Sequence, residues 1–220
     1  MRVTTSMRKR LLCVLLFSAV SAFGQVHFGL KVGVPVTDAF ATGTVPTLQY
    51  FSEAKRYVVG PTIELKLPHR VAVEFDALYR RFDYRSTSSL LDVIALRRTE
   101  ANAWEFPLLL KYRAKGKPLV HPFLDAGLAF NRVSGVTSFT NTLVTGVPRV
   151  VTGQESPSEL RHSVSAGLVL GGGIDFRALV IHIQPELRFT RWGSQNFQAG
   201  SSSALSSQRN QLEFLLGINF

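Results

Sequence analysis

Apolar side chains recur at every second position through the last ten residues of the chain. Apolar residues occupy every second position, at Leu212, Phe214, Leu216, Ile218 and Phe220. Successive side chains of a β-strand point to opposite faces, so this pattern predicts a strand with one apolar face. That face must be covered by protein or by lipid, and this requirement constrains the whole fold.

The same alternation occurs in seven earlier segments. In the first of them, Val26, Phe28, Leu30, Val32 and Val34 alternate with polar or small residues. Most segments have a length of 9–11 residues, with which a tilted strand crosses a bilayer. The predicted strands cover residues 26–34, 59–67, 71–79, 104–112, 120–130, 164–170, 179–189 and 212–220.

Long and short connections alternate between these strands. Residues 37–56, 85–100, 132–159 and 192–209 form the predicted long loops, and residues 68–70, 114–118 and 175–177 form short turns. Short turns on one side and long loops on the other are typical of outer-membrane barrels. We therefore predict an all-β fold, an eight-stranded antiparallel up-and-down transmembrane β-barrel. Side chains fill an interior of this size, so general porin function is not expected.

The N-terminus predicts export. Arg8, Lys9 and Arg10 precede an apolar run over residues 11–22, and Ala22-Phe23-Gly24 has the small residues of a cleavage site. We predict a cleaved signal peptide over residues 1–24, with either Met1 or Met7 as the start, and one mature domain over residues 25–220. Cys13 is the only cysteine and would leave with the signal, so disulfides and thiolate metal sites are not expected.

Charge gives looser limits. The formal charge is +10, and loss of four cations with the signal lowers it to +6. The cations occur singly between apolar residues rather than in runs, so nucleic-acid binding is not expected. No helix-long apolar segment follows the signal. A membrane location would thus require a closed barrel, because lipid leaves open sheet edges without hydrogen-bond partners.

Several short motifs in the strands resemble those of one family. They are Gly29-x-Lys31-x-Gly33, residues 105–112, Pro122-Phe123, Ala126-Gly127, residues 171–175 and residues 186–189. With these motifs the chain resembles the outer-membrane protein β-barrel domain family, which includes PorT-like proteins and is related in architecture to the OmpA transmembrane domain. The resemblance implies location in the cell outer membrane, and it implies no reaction. The aromatic end resembles the signal that barrel insertion machinery reads, carried here by Leu212, Phe214, Leu216, Ile218 and Phe220.

Charged residues occupy the face opposite to the apolar one. In a narrow interior they would have to pair with one another. Two interpretations stay open, a structural plug of salt bridges and a gated ion path or proton relay through Asp76, Asp125 and His182. The predicted lumen charge network is Lys31, Glu64, Lys66, Glu74, Asp76, Glu105, Lys111, Asp125, His182, Glu186, Arg188 and Glu213.

Aromatic residues lie near the predicted strand ends, where membrane barrels carry girdles. Arginines on the long-loop side suit lipopolysaccharide phosphates, and solvated loop charge is the alternative. The predicted girdle is Tyr79, Trp104, Tyr112, Phe130, Phe189, Trp192 and Phe220, and the arginines are Arg80, Arg81, Arg85, Arg97, Arg98, Arg132 and Arg191.

No catalytic, metal or cofactor site is predicted. The five histidines lie on five different segments, without the close spacing of metal ligands. His162 and Ser163 are adjacent, so on a strand they would face opposite sides and could not act as base and nucleophile. Pro107 and Pro185 fall within predicted strands and predict bulges there. Phe82 and Tyr84 change phase relative to Tyr79, which predicts a bulge or the end of the lipid-facing register near Arg80.

These features together predict a small barrel with a structural or surface-binding role through its outer loops. The expected partners are outer-membrane lipid, lipopolysaccharide and the insertion machinery, and a monomer is expected. Two alternatives are an outer-membrane lipid-modifying enzyme and a soluble lipocalin-like barrel, whose apolar face would point inward.

Overall fold

The computed structural model describes residues 25–42, 44–45, 48–52, 55–90, 93–116, 119–144, 147–151, 160–178, 181–197 and 205–220. The predicted signal peptide, its cleavage site and Cys13 lie outside these residues, as does Leu179 at the start of the seventh predicted strand. The division into a signal and a mature domain therefore stays a prediction.

Eight long strands form the body of the molecule, and each overlaps one of the predicted segments. Their bounds are β1 Gln25–Pro35, β2 Val58–Lys66, β3 Val71–Asp76 continued by Leu78–Leu90, β4 Val93–Arg113, β5 Val120–Val144, β6 Val164–Ala178, β7 Ile181–Trp192 and β8 Asn210–Asn219. Shorter strands are Phe40–Thr42, Thr44–Val45, Leu48–Ser52, Val147–Val151 and Leu205–Ser207, and Pro68–Arg70 forms a single 3₁₀ turn.

The strands close into a ring. Each long strand pairs antiparallel with its neighbours along the chain, and β8 pairs with both β7 and β1. At the seam Leu30 lies opposite Ile218, and the Phe220 amide donates to the Phe28 carbonyl at 2.9 Å. The eight-stranded antiparallel barrel predicted from the sequence is confirmed. Among the described residues no helix has the length and hydropathy of a membrane span.

The apolar side of each strand faces outward. Phe28, Leu124 and Leu170 are 61%, 69% and 61% exposed, whereas Lys31 and Glu74 on the other face are fully buried. A soluble lipocalin-like barrel has the opposite arrangement. An outward apolar band around a polar interior is the pattern of a barrel solvated by lipid.

Two predicted long loops are largely strand, which corrects the sequence prediction. β4 has 21 residues and β5 has 25, far more than a bilayer crossing needs. β3 and β4 stay paired as far as Leu90 opposite Val93, and Val147–Val151 pairs back onto the end of β5. Backbone pairing continues beyond the membrane because it does not depend on an apolar outer face. The prediction missed these extensions because it followed that face.

The extensions enclose an apolar cluster at the long-loop end. Arg80, Phe82 and Tyr84 all lie on the inner face of β3, so apolar side chains outside the bilayer point inward. We call the cluster the aromatic plug. Its buried members are Phe40, Tyr50, Tyr84, Ala101, Ala103, Val133, Phe197 and Leu205.

The bulges predicted at Pro107 and Pro185 are wrong. Pro107 lies opposite Ala129 and Pro185 opposite Leu216 in unshifted registers, and pairing on the other side of each proline is interrupted instead. The β3–β4 register also runs unshifted past Arg80, so the lipid-facing register simply ends there. The register shift recorded for β4 and β5 lies between Glu100 and Asn102, opposite Gly135 with φ +61°. Glycine adopts that conformation without the steric cost that other residues bear.

Candidate functional site: the charged lumen

Glu74 on β3 lies at the centre of the lumen. Its carboxylate accepts hydrogen bonds from Lys31 on β1 and Lys111 on β4, and Arg188 Nη2 on β7 lies 3.3 Å away. All four side chains are at most 1% exposed. Strand alternation places them there, because each occupies an inward position of its own strand. Four strands are thus joined at one point by charge.

Two further carboxylates complete this central cluster. Lys31 Nζ lies 2.9 Å from Glu186 and 3.3 Å from Asp76. Arg188 reaches the same two groups, with Nε 2.5 Å from Glu186 and Nη1 2.9 Å from Asp76. Every charge in the cluster is buried and has opposite charges beside it, which is the condition under which buried ions are tolerated.

Smaller groups of ion pairs lie above and below the central cluster. Toward the long-loop end, Arg80 donates to Glu105 at 2.9 Å and also to Glu213. Toward the short-turn end, Arg113 holds Glu64 at 2.5 Å and Asp175 at 2.9 Å. Arg80 lies toward the long-loop end, as predicted, but it faces the lumen and not lipopolysaccharide, because its position on β3 continues the inward alternation through Asp76.

Asp125 and Lys66 differ from the rest of the predicted network. Asp125 is buried on β5, and its carboxylate has no hydrogen-bond partner within the described ranges. A Cβ on Gly171 would lie 2.2 Å from Asp125 Oδ1, so glycine there makes room for the carboxylate. Lys66 is half-buried near the short-turn end, and its ammonium forms no ion pair with any described carboxylate.

The geometry bears on the predicted proton relay. His182 Nδ1 lies 3.0 Å from Asp175, while Asp76 is held by Lys31 and Arg188. Within the part of the chain that the structure describes, no hydrogen bond joins His182, Asp76 and Asp125 to one another. The arrangement is suited to holding strands together by opposite charges rather than to passing a proton along these three groups.

Two of the histidines, on β1 and β7, lie closer together than their sequence spacing indicates. The rings of His27 and His182 pack edge to face at 5.4 Å, and His27 Nδ1 lies 3.0 Å from the Phe220 carbonyl. No group of three metal-ligating side chains occurs among the described residues. His162 and Ser163 are exposed and precede β6, so the argument from opposite strand faces does not apply to them.

Six of the predicted girdle residues lie on the outer surface, and one does not. Trp104, Tyr112 and Phe220 are 40%, 52% and 63% exposed, and Tyr79, Phe130 and Phe189 share the outward face. Trp192 is a correction. It is buried inside the barrel and donates from Nε1 to Gln211 at 3.0 Å. Position 192 has the inward parity of Arg188 and Thr190, which the prediction from strand-end location ignored.

Three outward arginines lie just beyond the girdle residues of the long-loop end. Arg81, Arg132 and Arg191 each follow a girdle residue by two positions, on β3, β5 and β7. These strands all run toward the long-loop end, so each arginine lies about 6 to 7 Å further out than its aromatic neighbour. Arg81 is paired with Glu100 and Asp83. We call these three residues the arginine collar.

The described lumen residues that the prediction left out have one signal in common. Arg80, Arg113, Asp175 and Gln184 have inward parity in their strands and are buried. The sequence predicts a turn at Asp175, but β6 continues through this residue to Ala178. The alternation of inward and outward positions, counted to the observed strand ends, would have assigned all four residues to the lumen.

The match to a known protein family agrees with this geometry. The family model described as "Outer membrane protein beta-barrel domain" matches residues 17–193. No curated protein matches the chain. Among solved structures, Neisserial surface protein A (NspA) is similar at 12% identity with a TM-score of 0.46, covering 88% of this chain and 95% of that one.

Two other solved structures are more distant. Ail, the attachment invasion locus protein of Yersinia pestis, has 7% identity and a TM-score of 0.31, covering 89% of this chain and 97% of its own. The translocator domain of autotransporter NalP from Neisseria meningitidis has 9% identity and a TM-score of 0.36, covering 99% of this chain and 96% of its own. Likenesses this remote carry nothing about function to this chain.

Proposed function

We propose that this chain, which belongs to the outer membrane protein beta-barrel domain family, acts through its outer surface and not by transport through its lumen. It is a β-barrel of the outer membrane of Gram-negative bacteria. The proposed role is structural: the barrel stabilises the membrane surface by contact with lipopolysaccharide and presents its long extensions to partners. No reaction is assigned to it.

The observation that carries this proposal is the filled interior. The central charged cluster occupies the membrane level, and the aromatic plug occupies the long-loop end above it. The cavity beneath the plug, lined in part by Arg80, Phe82 and Trp192, has a volume of about 30 Å³. A cavity of that volume has room for only a few water molecules. An interior filled at these two levels does not favour transport through the barrel.

The first prediction concerns conductance. We expect the refolded protein to insert into planar lipid bilayers without producing regular conductance steps, because ions would have to displace buried, paired side chains. The measurement is single-channel recording, with insertion verified by the mobility difference between boiled and unboiled samples. Protein-free detergent is the control. Reproducible steps of one size would refute a closed lumen.

The arginine collar supports the lipopolysaccharide contact. Arg132 and Arg191 are exposed, and neither forms an ion pair with a described carboxylate. They lie directly outside the girdle residues Phe130 and Phe189, at the depth where the phosphates of the outer leaflet begin. A guanidinium binds phosphate through two parallel hydrogen bonds. Arg97 and Arg98 suit this role less, because Arg97 bonds to Thr140 and Arg98 lies 3.2 Å from Glu100.

The second prediction tests the collar. Replacing Arg132 and Arg191 together by glutamate should weaken binding of purified lipopolysaccharide by about 10-fold or more and reduce its salt dependence, since two attractive contacts become repulsive. Binding would be measured in nanodiscs at low and high salt. Arg161→Glu, which reverses an exposed arginine outside the collar, is the matched control. Equal binding by the collar variant and wild type would contradict the proposal.

The remaining proposals concern assembly. β8 presents Leu212, Phe214, Leu216, Ile218 and Phe220 to the outside, and we propose that the insertion machinery reads this face. The barrel closes within one chain, so we propose a monomer. A lipid-modifying enzyme remains a less favoured alternative. It would need a nucleophile, a base and a carboxylate brought together at one rim.

A further inference from the structure

A second polar cavity lies at the opposite, short-turn end of the barrel. It has a volume of about 240 Å³, and its polar lining is Lys66, Arg70, Arg113, His121 and Arg177. We call it the mouth site. Short turns of outer-membrane barrels face the periplasm, so this cavity opens on the side away from the collar and the plug.

The mouth site carries uncompensated positive charge. Four cations line it, and the carboxylates that reach them are Glu64 and Asp175, which leaves an excess of two positive charges. Arg113 binds both carboxylates at 2.5 and 2.9 Å, and Arg177 Nε is 3.7 Å from Asp175. Among the described residues, Lys66 and Arg70 have no ion-pair partner. An anion entering the cavity would meet charges that the protein itself does not neutralise.

Unused hydrogen-bonding groups line the same cavity. The Nδ1 atom of His121 and the Nε atom of Arg177 are buried and have no hydrogen-bond partner in the described part of the chain. Buried polar groups usually find a partner, and the Nε–H of Arg177, with His121 Nδ1 when it carries a proton, can donate to an acceptor that enters the cavity. A phosphate group supplies several acceptor oxygens and up to two negative charges.

The turn that carries Arg70 is strained. His69 and Arg70 have φ values of 63° and 66°, the left-handed region that favours glycine or asparagine. Two consecutive residues of this kind form the turn between β2 and β3, where Asn-Gly is the usual choice. Arg70 therefore has a long cationic side chain in a backbone conformation that favours glycine. Strain of this kind is tolerated where the side chain has a use.

We propose that the mouth site binds a phosphate group from the periplasmic side. The cavity has three guanidinium groups, and each offers paired donors. Such a set suits a phosphate ligand better than a carboxylate ligand, which has fewer acceptor oxygens. The apolar residues Leu67, Val71 and Ala114 line the same cavity, and Leu67 is exposed on the outer surface. This combination suits the headgroup of an anionic phospholipid in the inner leaflet, and free phosphate shares the same chemistry.

The experiment compares wild type with Arg70→Gly and Arg177→Gln. The refolded barrel would be titrated with inorganic phosphate against chloride at equal ionic strength, following the unfolding temperature. In a second arm, retention of phosphatidylglycerol against phosphatidylcholine would be measured by native mass spectrometry. We expect both substitutions to lower affinity by about 10-fold, since each removes a charge-assisted contact. Arg70→Gly should at the same time raise the unfolding temperature without ligand, because glycine relieves the strained turn.

A control outside both proposed sites tests the specificity of this loss. Arg161→Gln removes an exposed arginine that belongs neither to the collar nor to the mouth site, and it should leave binding of both probes unchanged. Binding of phosphatidylglycerol without binding of inorganic phosphate identifies the lipid headgroup as the source, and binding of both means that the phosphate group suffices. The proposal is overturned if wild type binds neither probe, or if Arg70→Gly and Arg177→Gln bind them as tightly as wild type.

Discussion

Replacing Lys31 by methionine should destabilise the barrel by about 3 to 5 kcal/mol, the cost of removing one partner from a buried ion pair. Lys31 is fully buried and contacts Glu74, Asp76 and Glu186. Without its ammonium, these carboxylates would share Arg188 and Lys111 and would repel one another at close range. Methionine has similar length, so the loss is mainly of charge and not of volume. The measurement is the free energy of unfolding by denaturant in lipid vesicles.

Two controls make this result specific to buried charge. Arg56→Met removes a cation from the exposed pair with Asp38, whose side chains are 71% and 60% exposed, and should change stability little. Adding Glu74→Gln to Lys31→Met should recover part of the loss, because one unpaired carboxylate disappears. A single Lys31→Met variant as stable as wild type would mean that the central cluster does not hold the strands together.

Replacing Phe40 by alanine should open the aromatic plug while leaving the membrane-embedded barrel intact. Phe40 packs against Phe82, Tyr84 and Phe197 at ring distances of 5.4 to 5.7 Å, and it is 4% exposed. Loss of a buried phenylalanine costs about 3 to 5 kcal/mol. The plug lies outside the bilayer, so we expect local opening, with amide protection at the long-loop end falling by at least about 100-fold. Hydrogen exchange would measure it.

Phe51 provides a matched control in the same region. It lies in the short strand Leu48–Ser52 and is 51% exposed, so Phe51→Ala should leave amide protection nearly unchanged. The boiled and unboiled mobilities of Phe40→Ala should match those of wild type, since the lumen cluster is untouched. Loss of that mobility difference would show that plug and barrel unfold together, against the view that they are separate zones.

The sequence predicts the membrane part of this fold well because lipid imposes a simple rule on it. Each strand must present apolar side chains outward at every second position, and the register of one strand then assigns every lumen residue by parity. Lys31, Glu74 and Arg188 are examples, each predicted inward and each found buried. The prediction failed where it departed from parity, at Trp192 and Arg80.

Outside the bilayer, lipid no longer requires an apolar outer face, so the alternation of apolar residues no longer locates the strands. Tyr84 and Phe40 belong to the aromatic plug. The phase change at Tyr84 indicates only where the lipid-facing register ends, and nothing in the sequence predicts that these two side chains pack together.

Within the barrel, Pro107 and Pro185 predict bulges because proline removes a donor, yet the chain adapts by interrupting pairing and keeps its register. Which compromise is chosen depends on the neighbouring strands, and these are not adjacent in the sequence.

The sequence by itself determined the number of strands, their direction and the face that each turns to lipid, since these follow from a period of two and from the bilayer. Only the tertiary structure decided which charges meet. Glu74 is bound by Lys31 and Lys111, 43 and 37 residues away, and Arg113 by Asp175, 62 residues away. The same closure gathers Arg70, Arg113 and Arg177 from three strand ends into one cavity. Partners across a barrel are set by closure and shear of the ring, which no local pattern encodes.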